Sequence, residues 1–236
     1  MTIDEFDITP SPGRLVESLR DTGYSFVTAV ADIVDNSIAA DSTKININLE
    51  LEFDGRLKLY IADNGHGMSE IDVMNAMRYG SKKRENPKSL GKFGMGLKTA
   101  STSFCRSLTV ISRKDSELAS RCWDIDEIIK EDKWQLLTPE IEDDDLKRLN
   151  DVSKNDGTLI IWDNIDRLVR SHDGVPDRKQ VDHFIETLKE HLSGVFYRFL
   201  NSTEENVEIN INGENLCGWD PFCSWMEEDL KVASES

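Results

Sequence analysis

Asp32 and Asn36 stand four residues apart in FVTAVADIVDNSIAAD. The apolar residues Phe26, Val27, Val30, Ile33, Val34 and Ile38 recur there at helical spacing. Side chains at i and i+4 leave a helix from the same face. A carboxylate and a carboxamide one turn apart suit a shared task. The carboxamide oxygen ligates a metal ion, and the carboxylate takes a proton from a water. A solvent-facing polar stripe would read the same way in isolation. Asp35 is the other carboxylate nearby, and it projects at a different angle.

Two glycine-rich loops follow. IADNGHGM (61–68) puts Asp63 at the end of a strand, then Gly65 and Gly67, where backbone can approach a flat ligand closely. An ionised Asp only accepts hydrogen bonds, so Asp63 suits the exocyclic amine of a purine. Met68 offers a soft apolar surface to the ring. His66 has no metal-ligand partners at useful spacing and reads as a loop residue. In LGKFGMGLKTAS (90–101), Gly91, Gly94 and Gly96 precede a helix starting near Leu97. Glycines before a helix N-terminus expose backbone N–H groups to an anion. The pattern is not GxxxxGK[ST], nor does a strand lead directly into it as a dinucleotide fingerprint requires.

The net charge is −17, which disfavours nucleic-acid binding by the chain as a whole. Residues 78–98 run against that balance. Arg78, Lys82, Lys83, Arg84, Lys88, Lys92 and Lys98 are opposed there by Glu85 alone. A basic, glycine-bearing loop in an acidic protein suits a polyphosphate.

The elements that must position these residues are legible in outline. Pro10 and Pro12 bracket Ser11, which suits the cap of a helix over 13–21. A second helix is expected from about 25 to 40. Residues 44–52 alternate as a half-buried strand, Asp54-Gly55 signals a hairpin, and 56–62 return. Ser69, Glu70 and Asp72 open a helix to about Tyr79. Strands are expected near 107–113, 118–123 and 157–162, with Thr158 at the start of the last. Residues 125–155 are acidic and read as irregular with a short surface helix. A long amphipathic helix is expected over 178–200, and a short strand over 207–211. His183 and His191 on that helix are too far apart to share a metal.

The length fits one large domain, or one domain plus a fragment. No apolar run reaches the ~18–20 residues of a membrane span. The acidic N-terminus lacks the regions of a signal peptide. The expectation is an intracellular, cytoplasmic protein, nuclear if eukaryotic, without a membrane partner. Cys105, Cys122, Cys217 and Cys223 form no CxxC pair and read as free thiols.

Taken in order, these motifs resemble those of the GHKL ATPase superfamily, which includes gyrase B, the ninety-kilodalton heat-shock chaperones, histidine kinases and MutL. The resemblance covers roughly residues 12–212. RDTGYSFVTAVADIVDNSIAA, YGSKK, GKFGMGLKTAS and GTLIIWDNID look most like the Microrchidia (MORC) type and bacterial Hsp90-like relatives. The fold implied is the α/β Bergerat fold, an α+β two-layer sandwich. Its sheet is mixed and mostly antiparallel, with helices on one face.

The cofactors implied are ATP and Mg²⁺, with Asn36 as the metal ligand. Asp63 would bind the adenine amine, with Gly65, Gly67 and Met68 around the base and Thr158 supporting the contact. Ser81, Lys82 and the stretch to Gly96 would form the ATP lid. Gly91, Lys92, Phe93, Gly94, Met95, Gly96, Leu97 and Lys98 would surround the phosphates. Asp32 would be the general base. The resemblance divides the chain into an arm (1–12), an ATP-binding domain (13–205) and a C-terminal extension (206–236). That extension resembles the start of a transducer domain. The partners implied are a second copy in an ATP-dependent homodimer, and a DNA-associated or defence assembly.

One residue departs from the family pattern, which commonly has Glu where this chain has Asp32. Asp is one methylene shorter, roughly 1.5 Å, and a misplacement of that size can cost ~10²-fold in rate. Two readings therefore stand side by side: a slow ATPase that drives conformational switching, and an ATP-binding interaction module with little or no hydrolysis. A phosphotransfer kinase is disfavoured, since no helix with a phosphoacceptor His precedes the motifs.

Overall fold

The computed structural model describes residues 8–21, 23–79, 96–168, 176–202 and 206–220. Seven strands form one sheet among these residues. They are β1 (Lys44–Leu51), β2 (Leu57–Asp63), β3 (Cys105–Lys114), β4 (Glu117–Asp124), β5 (Gly157–Ile165), β6 (Glu208–Ile211) and β7 (Glu214–Asn215). The order is β4-β3-β5-β2-β1-β6-β7, antiparallel throughout except for the parallel β1–β6 pair. This is the mixed, mostly antiparallel α/β architecture expected. The Asp54-Gly55 hairpin closes β1 onto β2, with Gly55 at φ 85° and Leu51 opposite Leu57.

Alternation along each strand sorts side chains between two faces. Leu59 and Ile61 of β2, Leu108 and Val110 of β3, and Ile160 and Trp162 of β5 face the main core. The principal helices cover that face: α1 (Pro12–Leu19), α2 (Phe26–Ala39), α3 (Glu70–Met77), α4 (Gly96–Thr102), α5 (Ile125–Glu131), α7 (Arg178–Val195) and the short α8 (Tyr197–Leu200). The next residues along, Tyr60, Ala62, Ile111, Leu159 and Ile161, face away. They form a second core with Leu149 and Val152 of α6 (Asp143–Val152). One helix therefore lies on the face that the sequence left bare.

The acidic stretch 125–155 is more ordered than its composition suggests. Asp124 caps α5, accepting from the Glu127 N–H at 3.0 Å, and α5 packs against α1. Ser11 stands at the N-cap of α1 but makes no side-chain cap bond. Asp132 does that work from the turn after α5: its Oδ1 accepts from Ser11 Oγ at 2.7 Å and from Gly13 N–H at 3.2 Å. At the far end, buried Arg20 donates Nε to the Thr102 carbonyl at 2.8 Å and pairs with Asp166. It thereby satisfies the C-terminus of α4.

Candidate nucleotide site

Asp63 closes β2 on the helix-side face. It is 4% exposed, yet its oxygens are well supplied with donors. Oδ1 accepts from the Gly65 N–H at 2.9 Å, and Oδ2 accepts from Ser37 Oγ of α2 at 2.9 Å. Burial pushes its pKa up, and the Gly65 and Ser37 hydrogen bonds act against that shift. The Thr158 backbone N–H also donates to this carboxylate, which then keeps a lone pair for one further donor. The register places Thr158 opposite Asp63 and Ser112 opposite Thr158. A carboxylate and two hydroxyls thus form one row across β2, β5 and β3 on the face that α2 covers.

The loop after Asp63 is fixed from several sides. Asn64 Oδ1 accepts from Ser42 Oγ and from the Thr43 and Lys44 N–H groups at 2.8–2.9 Å. Gly65 has no room for a side chain, since a Cβ would lie 2.8 Å from the Ala40 carbonyl oxygen. Gly67 adopts φ 62°, and a Cβ there would collide with the Arg113 carbonyl. Met68 is partly buried, and its N–H donates to Ser112 Oγ at 2.8 Å. His66 is exposed, with Nδ1 held 2.8 Å from the Gly67 carbonyl, as a loop residue should be.

α2 forms the adjoining wall. Ser25 caps it by accepting from the Thr28 N–H. Asn36 Nδ2 donates to the Asp32 carbonyl at 2.8 Å. That leaves Oδ1 without a donor among the described residues, an arrangement that fits ligation of a hard cation. Asp32 is half-buried beside Tyr24, whose phenol pKa is raised by burial and then by the Asp32 carboxylate. Asp35 is raised by burial and by the charge of Asp32. α2 packs on α4, which begins at Gly96.

Leu97 is partly buried against the main core. Lys98 is 1% exposed, with Nζ donating to the Ala76 carbonyl in the last turn of α3 at 2.7 Å and lying 5.8 Å from the Tyr79 ring centroid. Cationic charge is favourable at a helix C-terminus. Ser81, Lys82, Gly91, Lys92, Phe93, Gly94 and Met95 lie outside the described residues.

The structure brings Asp32, Asn36, Asp63, Gly65, Gly67, Met68 and Thr158 around α2 and the ends of β2 and β5; Gly96 begins the helix that packs on α2, and Lys98 turns its Nζ to the end of α3 instead. Sequence reasoning missed Ser37 and Ser112. Ser37 lies one residue past Asn36, and only the fold shows it reaching Asp63. Ser112 emerges only from the β3–β5 register.

This geometry agrees with similarity to known proteins. Residues 24–158, more than half of the chain, match the model of the histidine kinase-, DNA gyrase B- and HSP90-like ATPases. The chain belongs to that family. This histidine kinase-, gyrase B- and HSP90-like ATPase domain is 33% identical over 95 residues to mouse "ATPase MORC2B". It is 29% identical over 102 residues to "ATPase morc-1" of Caenorhabditis elegans. It is 34% identical over 98 residues to "DNA mismatch repair protein MutL" of Streptococcus thermophilus. Those matches cover 39%, 43% and 39% of this chain, and 9%, 12% and 14% of the relatives. The chain thus spans a small part of the relatives' length. ATP binding is the property this ATPase family shares. No helix among the described residues is long and apolar enough to cross a membrane.

Proposed function

We propose that this domain binds Mg·ATP between α2 and the β2–β5 strand ends and hydrolyses it slowly. The cycle drives dimerisation and conformational switching in a larger assembly. The observation that carries this reading is the juxtaposition of the buried, donor-supplied Asp63 carboxylate with the Asp32/Asn36 face of α2. Asp63 accepts the exocyclic amine of adenine, and Met68 with the Gly65–Gly67 backbone borders the base. Asn36 Oδ1 is the ligand for Mg²⁺, which offsets phosphate charge when bound. The N-terminus of α4 at Gly96 and Leu97 faces the phosphates, with the segment from Ser81 to Met95 as the lid. Asp32 is the base for the attacking water. The name of the MutL relative includes DNA mismatch repair, which supports a DNA-associated setting.

A second reading is favoured by one residue. Asp32 is a methylene shorter than the family's usual Glu, and a binding module that scarcely turns over would tolerate that. Titration calorimetry with a non-hydrolysable ATP analogue and Mg²⁺, alongside phosphate release from ATP, separates the two. Asp32→Ala is expected to lower turnover by about 10²-fold or more while keeping nucleotide affinity within about twofold. Asn36→Ala is expected to lose Mg²⁺-dependent affinity. Wild-type binding with no turnover selects the second reading. No binding by folded wild type removes both.

A further inference from the structure

Ser112 stands behind the row that begins with Asp63, and its surroundings fix where its one proton lies. Its Oγ contacts three groups: the Met68 N–H at 2.8 Å, the Thr158 Oγ1 at 2.9 Å and the Gly157 carbonyl oxygen at 3.1 Å. Ser112 is 0% exposed and Thr158 6%, so each misdirected proton carries a desolvation cost. The Met68 amide can only donate, and the Gly157 carbonyl can only accept. Only one arrangement satisfies every contact. Ser112 gives its proton to Gly157, and accepts from Met68 and from Thr158. In the reverse arrangement, Ser112 donates to Thr158 and two lone pairs face each other across the Ser112–Gly157 contact.

That ordering commits the Thr158 proton to β3, away from Asp63. Thr158 Oγ1 therefore shows only lone pairs toward the neighbouring site. Asp63 has no proton to give when ionised. The row then presents acceptors alone where the exocyclic substituent of a purine would lie. A 6-amino group supplies two N–H donors there. A 6-oxo group supplies none, and would face buried acceptors left unpaired.

We propose that Ser112 is a specificity-determining positioning residue: by holding the Thr158 hydroxyl proton on β3, it makes this end of the site select 6-amino over 6-oxo purine nucleotides. The inference rests on the ATP-site reading and adds a residue and a discrimination to it. Ser112 acts through Thr158 and touches no nucleotide.

The test is calorimetric titration of Mg²⁺ with non-hydrolysable analogues of ATP and of inosine triphosphate. The proteins are wild type, Ser112→Ala, Ser112→Thr, Thr158→Val and the Ser112→Ala/Thr158→Val double variant, each checked by thermal melting. Wild type is expected to prefer the adenine nucleotide by at least about 10-fold, the worth of one buried hydrogen bond. Ser112→Ala frees the Thr158 proton, and the preference falls several-fold. Ser112→Thr, which keeps the hydroxyl, restores it. Thr158→Val narrows the preference too, and the double variant is no worse than Thr158→Val alone.

Equal weakening toward both nucleotides in Ser112→Ala would overturn the inference, because a merely structural role moves both together. If that variant does not fold, an unchanged preference in Thr158→Val overturns it instead, and a narrowed one supports it. A wild type that binds both nucleotides equally rejects Ser112's role and leaves the nucleotide site standing. A folded wild type that binds neither removes the site itself, and the inference with it.

Discussion

Asp63 shows how burial and hydrogen bonding are balanced at a single carboxylate. Removing it from water favours the neutral acid, while the Gly65 amide and the Ser37 hydroxyl favour the charge. Burial wins, so the folded pKa lies above the ordinary Asp value of about 3.9. A purine amine needs the ionised acceptor. Nucleotide affinity is therefore expected to fall on acidification at a pH above the ordinary Asp range. Stability follows the opposite sign at this residue: the protonated form favours folding, and that contribution is lost as pH rises through the folded pKa. Asp72 and Asp126 have lowered values, through the Ser69 hydroxyl and Arg106 respectively. Their stabilisation is lost only as pH falls below the ordinary carboxylate range. Calorimetry and thermal melting over the same pH series should thus show binding failing before folding does. Asp63→Asn keeps the shape and an acceptor for the Gly65 N–H, but loses the charge. It is expected to lower ATP-analogue affinity by about 10- to 100-fold, the range of a charged hydrogen bond, with a melting temperature no lower than wild type. A variant that binds as wild type does would show that Asp63 is not the amine acceptor.

At the scale of elements, the β2–α3 loop depends on close backbone approach more than on side chains. Gly67 at φ 62° lies against the Arg113 carbonyl on β3, and Gly157 begins β5 with its Cα 's missing substituent directed at the Asp63 carbonyl, 2.5 Å from where a Cβ would sit. Gly67→Ala must displace β3 or the loop. The expected cost is about 3 kcal/mol, or a fall of about 6–12 °C in melting temperature. Affinity should fall further than stability alone explains, because Met68 and Asp63 flank the displaced backbone. Melting at the wild-type temperature would mean that the loop relaxes freely.

Much at this scale was legible because it is local. The apolar spacing of α2, the alternation of β1 and the Asp54-Gly55 turn announce themselves. Asn36 and Asp63 could be proposed from the sequence because the chemistry proposed for them is set by side chain and position. What stayed hidden needed three dimensions. The cap of α1 comes from Asp132, far along the chain, although Ser11 has the right type. Ser37 and Ser112 are ordinary small polar residues until α2 meets β2 and β3 pairs with β5. In the acidic segment 125–155 the expected surface helix is α6, which buries Leu149 and Val152 against the back of the sheet, whereas α5, with Ile125 and Ile128 buried, stayed hidden.

At the scale of the whole molecule, charge sets two processes in opposition. The protein carries −17, yet it is proposed both to bind a polyanion and to pair with a copy of itself. The proposed nucleotide binding draws on a local exception, the basic residues between 78 and 92, since Lys98 gives its Nζ to the Ala76 carbonyl, and attraction between opposite charges weakens as salt screens it. Dimerisation instead brings together two bodies of the same sign, whose repulsion weakens with salt. The Debye length shortens from about 30 Å at 0.01 M to about 8 Å at 0.15 M ionic strength, so both effects should appear within that range. With Mg²⁺ and a saturating non-hydrolysable ATP analogue, light scattering is expected to show more dimer at 0.15 M than at 0.01 M salt. Over the same range, nucleotide affinity measured at protein concentrations too low for pairing should decline. A single salt dependence shared by both would mean that the same contacts govern them, as when the basic segment of one protomer supplies the partner's site. A monomer at every salt concentration with nucleotide bound would remove dimerisation from the proposed cycle and leave ATP binding untouched.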